Sequence, residues 1–265
     1  MNKAKKILSY AVVLAGVVAM LLLEWKKQAI YVSLPNGETW YQIMSRMAAA
    51  FVCMALMCRF ALSHLIFPRK WGGREFLVIL PCFAIAVNNF PFLSVFWGDA
   101  TLHAPLGQWA LYALLCFSVG LFEEMAFRGC VFVICLERTK ESRAPMLRVL
   151  FASVLSSAVF GLVHLLNLFA GASVGGVVLQ VGYSFLIGGM CSIMLVKTAN
   201  VWYSVILHAV YNFAGGVVGQ LGSGKIWTLP TVVLTVVVSI VIVVYVFFLL
   251  ARVSKEEIAK TVKGI

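Results

Sequence analysis

Gly120-Leu121-Phe122-Glu123-Glu124-Met125-Ala126-Phe127-Arg128-Gly129 is the stretch whose reading decides the fold. It lies in one of the most apolar parts of the chain, yet three of six consecutive positions, Glu123 to Arg128, are ionisable. A charge at the centre of a membrane helix costs about 2.5–3.5 kcal/mol even on the lenient insertion scale. Three such groups require a polar interior, mutual pairing and a task that offsets their cost. The stretch therefore predicts a helix bundle that encloses polar side chains at membrane depth.

The rest of the sequence agrees. Of 265 residues 62% are hydrophobic and only 12% charged, where a soluble domain carries about a quarter. Apolar runs of bilayer-crossing length fall near 7–23, 42–66, 76–97, 109–136, 147–169, 176–196, 201–219 and 230–251. The expected fold is all-α: a polytopic membrane bundle of about eight transmembrane helices around a polar cavity. Residues 1–107 are expected to form about three N-terminal spans, 108–220 the functional core, and 221–265 the last span with a basic tail. The first run follows Lys3, Lys5 and Lys6 and lacks a small-residue cleavage site, so it is expected to stay as a span.

The net charge of +11 does not point to nucleic acid, because Lys and Arg gather at the ends of the apolar runs. With the N-terminus inside, cytoplasmic segments hold fifteen of these residues and external segments three, namely Lys26, Lys27 and Lys225. This asymmetry predicts a multi-pass membrane protein with both termini cytoplasmic, with the bilayer as its partner. The tail from Arg252 to Lys263 is expected to be a short helix on the membrane surface. Seven scattered cysteines without a CxxC pair read as small buried hydrophobes.

Three segments bring polar groups into the apolar runs. On a helix, Glu124 and Arg128 share a face at i,i+4, whereas Glu123 points about 100° away. One carboxylate is then structural and the other is left for chemistry. Phe160-Gly161-Leu162-Val163-His164 places one imidazole in the fifth run, and His208-Ala209-Val210-Tyr211-Asn212 places an imidazole and an amide on one face of the seventh. Alone, His164 reads as a core histidine and the His208/Asn212 pair as helix–helix glue. Together with a carboxylate they form a kit for hydrolysis. A carboxylate in apolar surroundings serves as general base, one imidazole orients a water, and a second imidazole with an amide stabilises an oxyanion. A zinc site built from Glu123, His164 and His208 is the other chemistry open to these residues, although no HExxH helix is present.

The order Glu-Glu-x-x-x-Arg, Phe-x-x-x-His and His-x-x-x-Asn on successive membrane helices resembles the CPBP family. This is the CAAX-protease and bacteriocin-processing (ABI) group of intramembrane endopeptidases, which includes the Rce-type proteases. The resemblance covers about residues 108–220 and shows no departure at the motif positions. It implies that Glu123 activates water, that His164 completes the water site, and that His208 and Asn212 stabilise the oxyanion. Glu124, Arg128 and Phe160 then support the site. The family has been described both as metal-dependent and as glutamate-dependent. The second is favoured, with no required cofactor, because no fourth strong zinc ligand is evident.

The resemblance implies cleavage of small peptide precursors or membrane-associated substrates, with bacteriocin or pheromone processing, or self-immunity, as settings. Two other classes compete with an enzyme. A non-catalytic immunity or scaffold protein would be expected to have lost at least one of Glu123, His164, His208 and Asn212. A transporter or proton relay would be expected to show repeated halves, and none is detectable. Among the remaining polar residues, Arg46 and Arg59 are expected to snorkel to headgroups, and His64 and His103 to be solvated. Asn88, Asn89 and Pro91 either line a cavity or mark a helix end. Gly215 to Gly219 reads as a close-packing helix face.

Overall fold

A computed structural model describes residues 18, 22–23, 25–27, 29–68, 72–141, 143–169 and 171–263. The expected first span, 7–23, lies almost wholly outside them. The described helices are α1 (Gly37–Arg59), α2 (Ser63–Ile66), α3 (Gly73–Ile79), α4 (Phe83–Asn88), α5 (Phe92–Phe96), α6 (Leu106–Glu124), α7 (Val133–Arg138), α8 (Pro145–Val163), α9 (Val174–Thr198), α10 (Val201–Leu221), α11 (Leu229–Ala251) and α12 (Lys255–Lys263). A π-helical segment, Met125–Phe132, joins α6 to α7, and a 3₁₀ turn, His164–Leu168, follows α8.

Among the described residues five stretches are long and apolar enough to cross a membrane: Gly37–Arg59, Pro145–Leu168, Val174–Thr198, Val201–Leu221 and Leu229–Ala251. The chain is an all-α polytopic membrane bundle, and among the described residues three of the expected runs are not single regular spans. Local chemistry explains the differences. The expected span 76–97 is broken by a 3₁₀ turn at Leu80–Cys82 containing Pro81, and again at Pro91, which precedes α5. Proline lacks the N–H that would continue the helix. The expected span 42–66 ends at Arg59, because Ala61 takes a positive φ of 62° and α2 starts anew. The expected span 109–136 is a continuous rod, but it is divided into α6, the π segment and α7.

Helix ends follow recognisable signals. Pro145 opens α8 and Pro230 lies in the first turn of α11, where a missing N–H costs nothing. Ser173 Oγ accepts from Gly176 N at the start of α9, and Asn200 Oδ1 accepts from Trp202 N at the start of α10. A two-stranded antiparallel ribbon, β1 (Ala100–Leu102) and β2 (Gly222–Gly224), clasps the approach to α6 against the end of α10.

The largest core cluster joins α1, the α6–α7 rod, α8, α9 and α10 through Met57, Leu121, Met125, Phe132, Val205 and their neighbours. Glycine allows the closest approaches. A Cβ on Gly120 would stand 2.9 Å from Val205 O and 3.0 Å from Ala209 N, so this glycine lets α6 meet the α10 backbone. The Gly215–Gly219 face works inside the bundle. Gly215 makes room for Asn89, whose amide donates to Tyr211 O at 2.8 Å. Gly216 makes room for the Tyr112 hydroxyl, which donates to Asn212 O at 2.9 Å.

The tail forms the expected short helix, and the surroundings of His64 differ from those expected. The tail helix α12 docks on the protein, with Ile258 and Thr261 buried and Lys197 paired to Glu257 at 3.1 Å. His64 is not simply solvated, since its Nε2 lies 3.1 Å from Thr261 O. Both follow from an amphipathic helix that lays its apolar face on the bundle core.

Candidate active site

The ionisable cluster forms where α6, the π segment, α8 and α10 meet. Glu124 closes α6 and is fully buried, as is Arg128. Arg128 Nη1 lies 3.0 Å from Glu124 Oε1, and the same oxygen lies 2.7 Å from His208 Nδ1. The other imidazole nitrogen, Nε2, lies 3.4 Å from Glu123 Oε2. His208 therefore bridges the two carboxylates, and with Glu124 ionised its Nδ1 donates and Nε2 faces Glu123. Glu123 differs from its neighbour in access, with a side chain 20% exposed against 0% for Glu124. The two adjacent glutamates thus have separate surroundings, one sealed with Arg128 and one open.

The π-helical winding has a cost and a use. It sits at the charged cluster, where such bulges often mark function. The Phe127 carbonyl in this segment accepts from Ser156 Oγ at 3.0 Å, so α8 satisfies a backbone group there. Arg128 fits only because Gly188 lacks a side chain, since a Cβ there would stand 2.6 Å from Nη2. Its guanidinium lies 4.5 Å over the Phe160 ring, a cation–π contact that offsets part of the desolvation of a buried cation. Arg128 Nε and Nη2 and Glu124 Oε2 are buried without a hydrogen-bond partner among the described residues. Groups of this kind favour water or a polar ligand nearby.

Phe160 is the hub of the site. Besides Arg128, its ring meets His164 at 4.9 Å and His208 at 5.9 Å, both edge-on, and Phe127 at 4.8 Å. The two imidazoles thus stand against one phenyl ring, although they come from residues 44 positions apart (164 and 208). His164 is half-buried at the start of the 3₁₀ turn, and its Nδ1 lies 2.8 Å from Phe160 O. That contact leaves Nε2 as the free edge of the ring.

Asn212, one turn beyond His208, lies in the wall of a groove of about 1000 Å³ bordered by α4, α8, α9, α10 and α11. Asn88, Asn89, Tyr183 and Tyr211 line the same groove. Asn88 donates to Thr235 Oγ1 at 3.1 Å and Asn89 to Tyr211 O, so the asparagines line the groove while anchoring helices. Tyr183 from α9 faces Tyr211 from α10 across this groove, with ring centroids 6.0 Å apart.

Of the residues read from the sequence, Glu123, Glu124, Arg128, Phe160 and His208 are linked by a chain of contacts, Glu123 entering it through His208. His164 joins them through Phe160, and Asn212 stands one turn away in the groove wall. Sequence reasoning missed the bond between His208 and Glu124, and the parts played by Ser156, Tyr183 and Gly188. Only Gly188, within the Gly188-Gly189 pair of an apolar run, carried a signal. Both His208 nitrogens face carboxylates, and among the described residues no three His, Cys, Asp or Glu side chains are gathered as a set of metal donors.

Residues 105–214 match the family model described as type II CAAX prenyl endopeptidase, Rce1-like. No curated protein and no solved structure matches the chain. The matched stretch contains all three motifs and every residue of the cluster described above.

Proposed function

We propose an intramembrane endopeptidase of the CPBP/Rce1 type that uses glutamate-activated water, a reading supported by the match of residues 105–214 to the Rce1-like family model. The observation that carries this reading is the division of labour between the two glutamates. Glu124 is sealed and held by Arg128 and His208, while Glu123 is open and fixed only at its edge by His208 Nε2.

In the proposed reaction, a peptide enters from the groove past Tyr183 and Asn212. A water held between Glu123 and the free edge of His164 gives a proton to the Glu123 carboxylate as its oxygen attacks the scissile carbonyl carbon. The carbonyl π electrons move to oxygen, and that oxyanion is stabilised by the Asn212 amide N–H and by Nε2–H of His208 in its imidazolium form, which donates from Nδ1 to Glu124 as well. As it collapses, the C–N bond breaks and Glu123 returns the proton to the leaving amine. Glu124 accepts from His208 Nδ1 and fixes which imidazole nitrogen faces the reaction. No metal takes part in this scheme.

The substrate class that fits is a membrane-associated peptide, either a prenylated CAAX end or a small precursor such as a bacteriocin or pheromone. The enzyme would act in a bacterial plasma membrane with both termini cytoplasmic, where processing or self-immunity is its setting. The test is cleavage of an internally quenched peptide ending in a prenylated CAAX box by the full chain in proteoliposomes. A parallel arm compares peptides released from cells carrying wild type or Glu123→Gln. A peptide released by wild type and absent with Glu123→Gln supports the reading. Ion or solute flux without any cleavage supports a transporter instead.

A further inference from the structure

His208 and Asn212, the two groups that face the oxyanion, are held to the bundle in different ways. His208 is held by its side chain, whose Nδ1 lies 2.7 Å from Glu124 Oε1. Asn212 lines the groove, and among the described residues no hydrogen bond holds its side-chain amide. The aim of that amide therefore depends on the backbone that carries it.

That backbone is pinned from two neighbouring helices. The Tyr112 hydroxyl, from α6, donates to Asn212 O at 2.9 Å. The Asn89 amide, from α4, donates to the preceding carbonyl, Tyr211 O, at 2.8 Å. Both acceptors lie inside α10, where each carbonyl also serves the helical N–H four residues on. Those positions are Gly215 and Gly216, and a Cβ on either would collide with the donor that enters there. The two glycines form a notch through which side chains reach carbonyls that a Cβ would otherwise cover.

Tyr112 is itself firmly placed. It is buried, it packs with Cys116, Val217 and Leu221, and its ring stacks on Phe213 with centroids 5.2 Å apart. Its hydroxyl therefore gives the Asn212 carbonyl one position relative to α6. The same helix carries Glu123, and Glu124 at its end holds His208. α6 is thus the common reference for the base and for both groups that face the oxyanion.

We propose that Tyr112 is a positioning residue that fixes the turn of α10 behind Asn212 and so aims its amide at the developing oxyanion. The proposal rests on the reading of Asn212 as an oxyanion donor. Such a donor works only when it is preorganised at hydrogen-bond distance from the developing charge. Helix packing alone would not need the hydroxyl, because Phe213 holds the ring and the Asn212 carbonyl already has its helical N–H.

The test uses the full chain in proteoliposomes with Tyr112→Phe, Asn212→Ala and the double variant, assayed on the prenylated CAAX reporter. Unfolding temperature is measured alongside, as is the solid-state NMR signal of the Asn212 side-chain amide, assigned by its loss in Asn212→Ala. Tyr112→Phe keeps the ring and removes one hydrogen bond, so it should lower kcat about threefold to tenfold and leave KM unchanged. Asn212→Ala should lower kcat by about a hundredfold or more. Because Tyr112 acts through the Asn212 amide, adding Tyr112→Phe to Asn212→Ala should cause no further loss. The amide signal should shift or split in Tyr112→Phe, and it reads the aim of Asn212 whether or not the reporter is cleaved.

An unmoved amide signal or full kcat in Tyr112→Phe overturns the proposal. The same fold-loss from Tyr112→Phe with Asn212 present or replaced, together with a lowered unfolding temperature, also overturns it, because that pattern marks a packing role. Impaired Asn212→Ala with fully active Tyr112→Phe removes the Tyr112 proposal alone. Fully active Asn212→Ala removes the oxyanion reading of Asn212, and this proposal with it.

Discussion

Arg128 shows how much a single buried cation asks of its surroundings. It needs Glu124 for charge, Phe160 for a ring face and Gly188 for space. Removing one partner of such a pair leaves the other uncompensated, which costs about 3–5 kcal/mol. Arg128→Met should therefore lower unfolding stability in detergent by about that amount, read by denaturant or thermal melting. The double variant Glu124→Gln/Arg128→Met should recover part of the loss, because no lone charge remains. Phe160→Ala should cost about 3–5 kcal/mol as a large-to-small core change, and it should also weaken cleavage, since both imidazoles lose their common wall. The opposed fates of Glu123 and Glu124 were legible from helical spacing, because Arg128 lies four residues from one and five from the other. The His208 bond to Glu124 was not legible, because spacing along one helix says nothing about which residue a second helix will present.

At the scale of elements, glycines decide which helices touch. Gly216 and Gly219 sit on the same expected packing face, yet their surroundings differ. A Cβ on Gly216 would collide with the Tyr112 hydroxyl, whereas one on Gly219 meets nothing within 4 Å. Gly216→Ala should destabilise the protein by about 1–3 kcal/mol through overpacking. Gly219→Ala should be neutral or stabilising by up to about 1 kcal/mol, as expected for alanine within a helix. Thermal melts of the two variants check this contrast, and equal effects would contradict it. The pattern of small residues announced a packing face without saying which position carried it. The same limit explains the broken span at 76–97. Hydropathy marks it as one crossing, but Pro81 and Pro91 interrupt it. Asn88 and Asn89 turn inward to hold α11 and α10, a choice set by tertiary partners. The π winding of Met125–Phe132 also left no mark in hydropathy, and the Phe127 carbonyl within it is satisfied by Ser156 from another helix.

For the whole molecule, the bundle places one open carboxylate at the junction of four helices, beside a groove bounded by apolar spans. Composition and the apolar runs made the membrane class legible, and the three motifs marked the stretch that matches the Rce1-like family model. The convergence of residues from α6, α8 and α10 was an inference from chemistry before the fold brought them together. Charge asymmetry leads to a further expectation, that both termini face the cytoplasm. Reporter fusions at each end that are active only in the cytoplasm should both give signal, and signal from one end alone would contradict it. The central claim is that Glu123 is the base and Glu124 its sealed companion. The most direct measurement is the cleavage rate of the full chain in proteoliposomes, compared between wild type and Glu123→Gln, with folding monitored by melting. Cleavage should fall about a thousandfold, within the range of a lost general base, while the melting temperature stays near that of wild type. Cleavage by a folded Glu123→Gln variant at the wild-type rate would contradict the account.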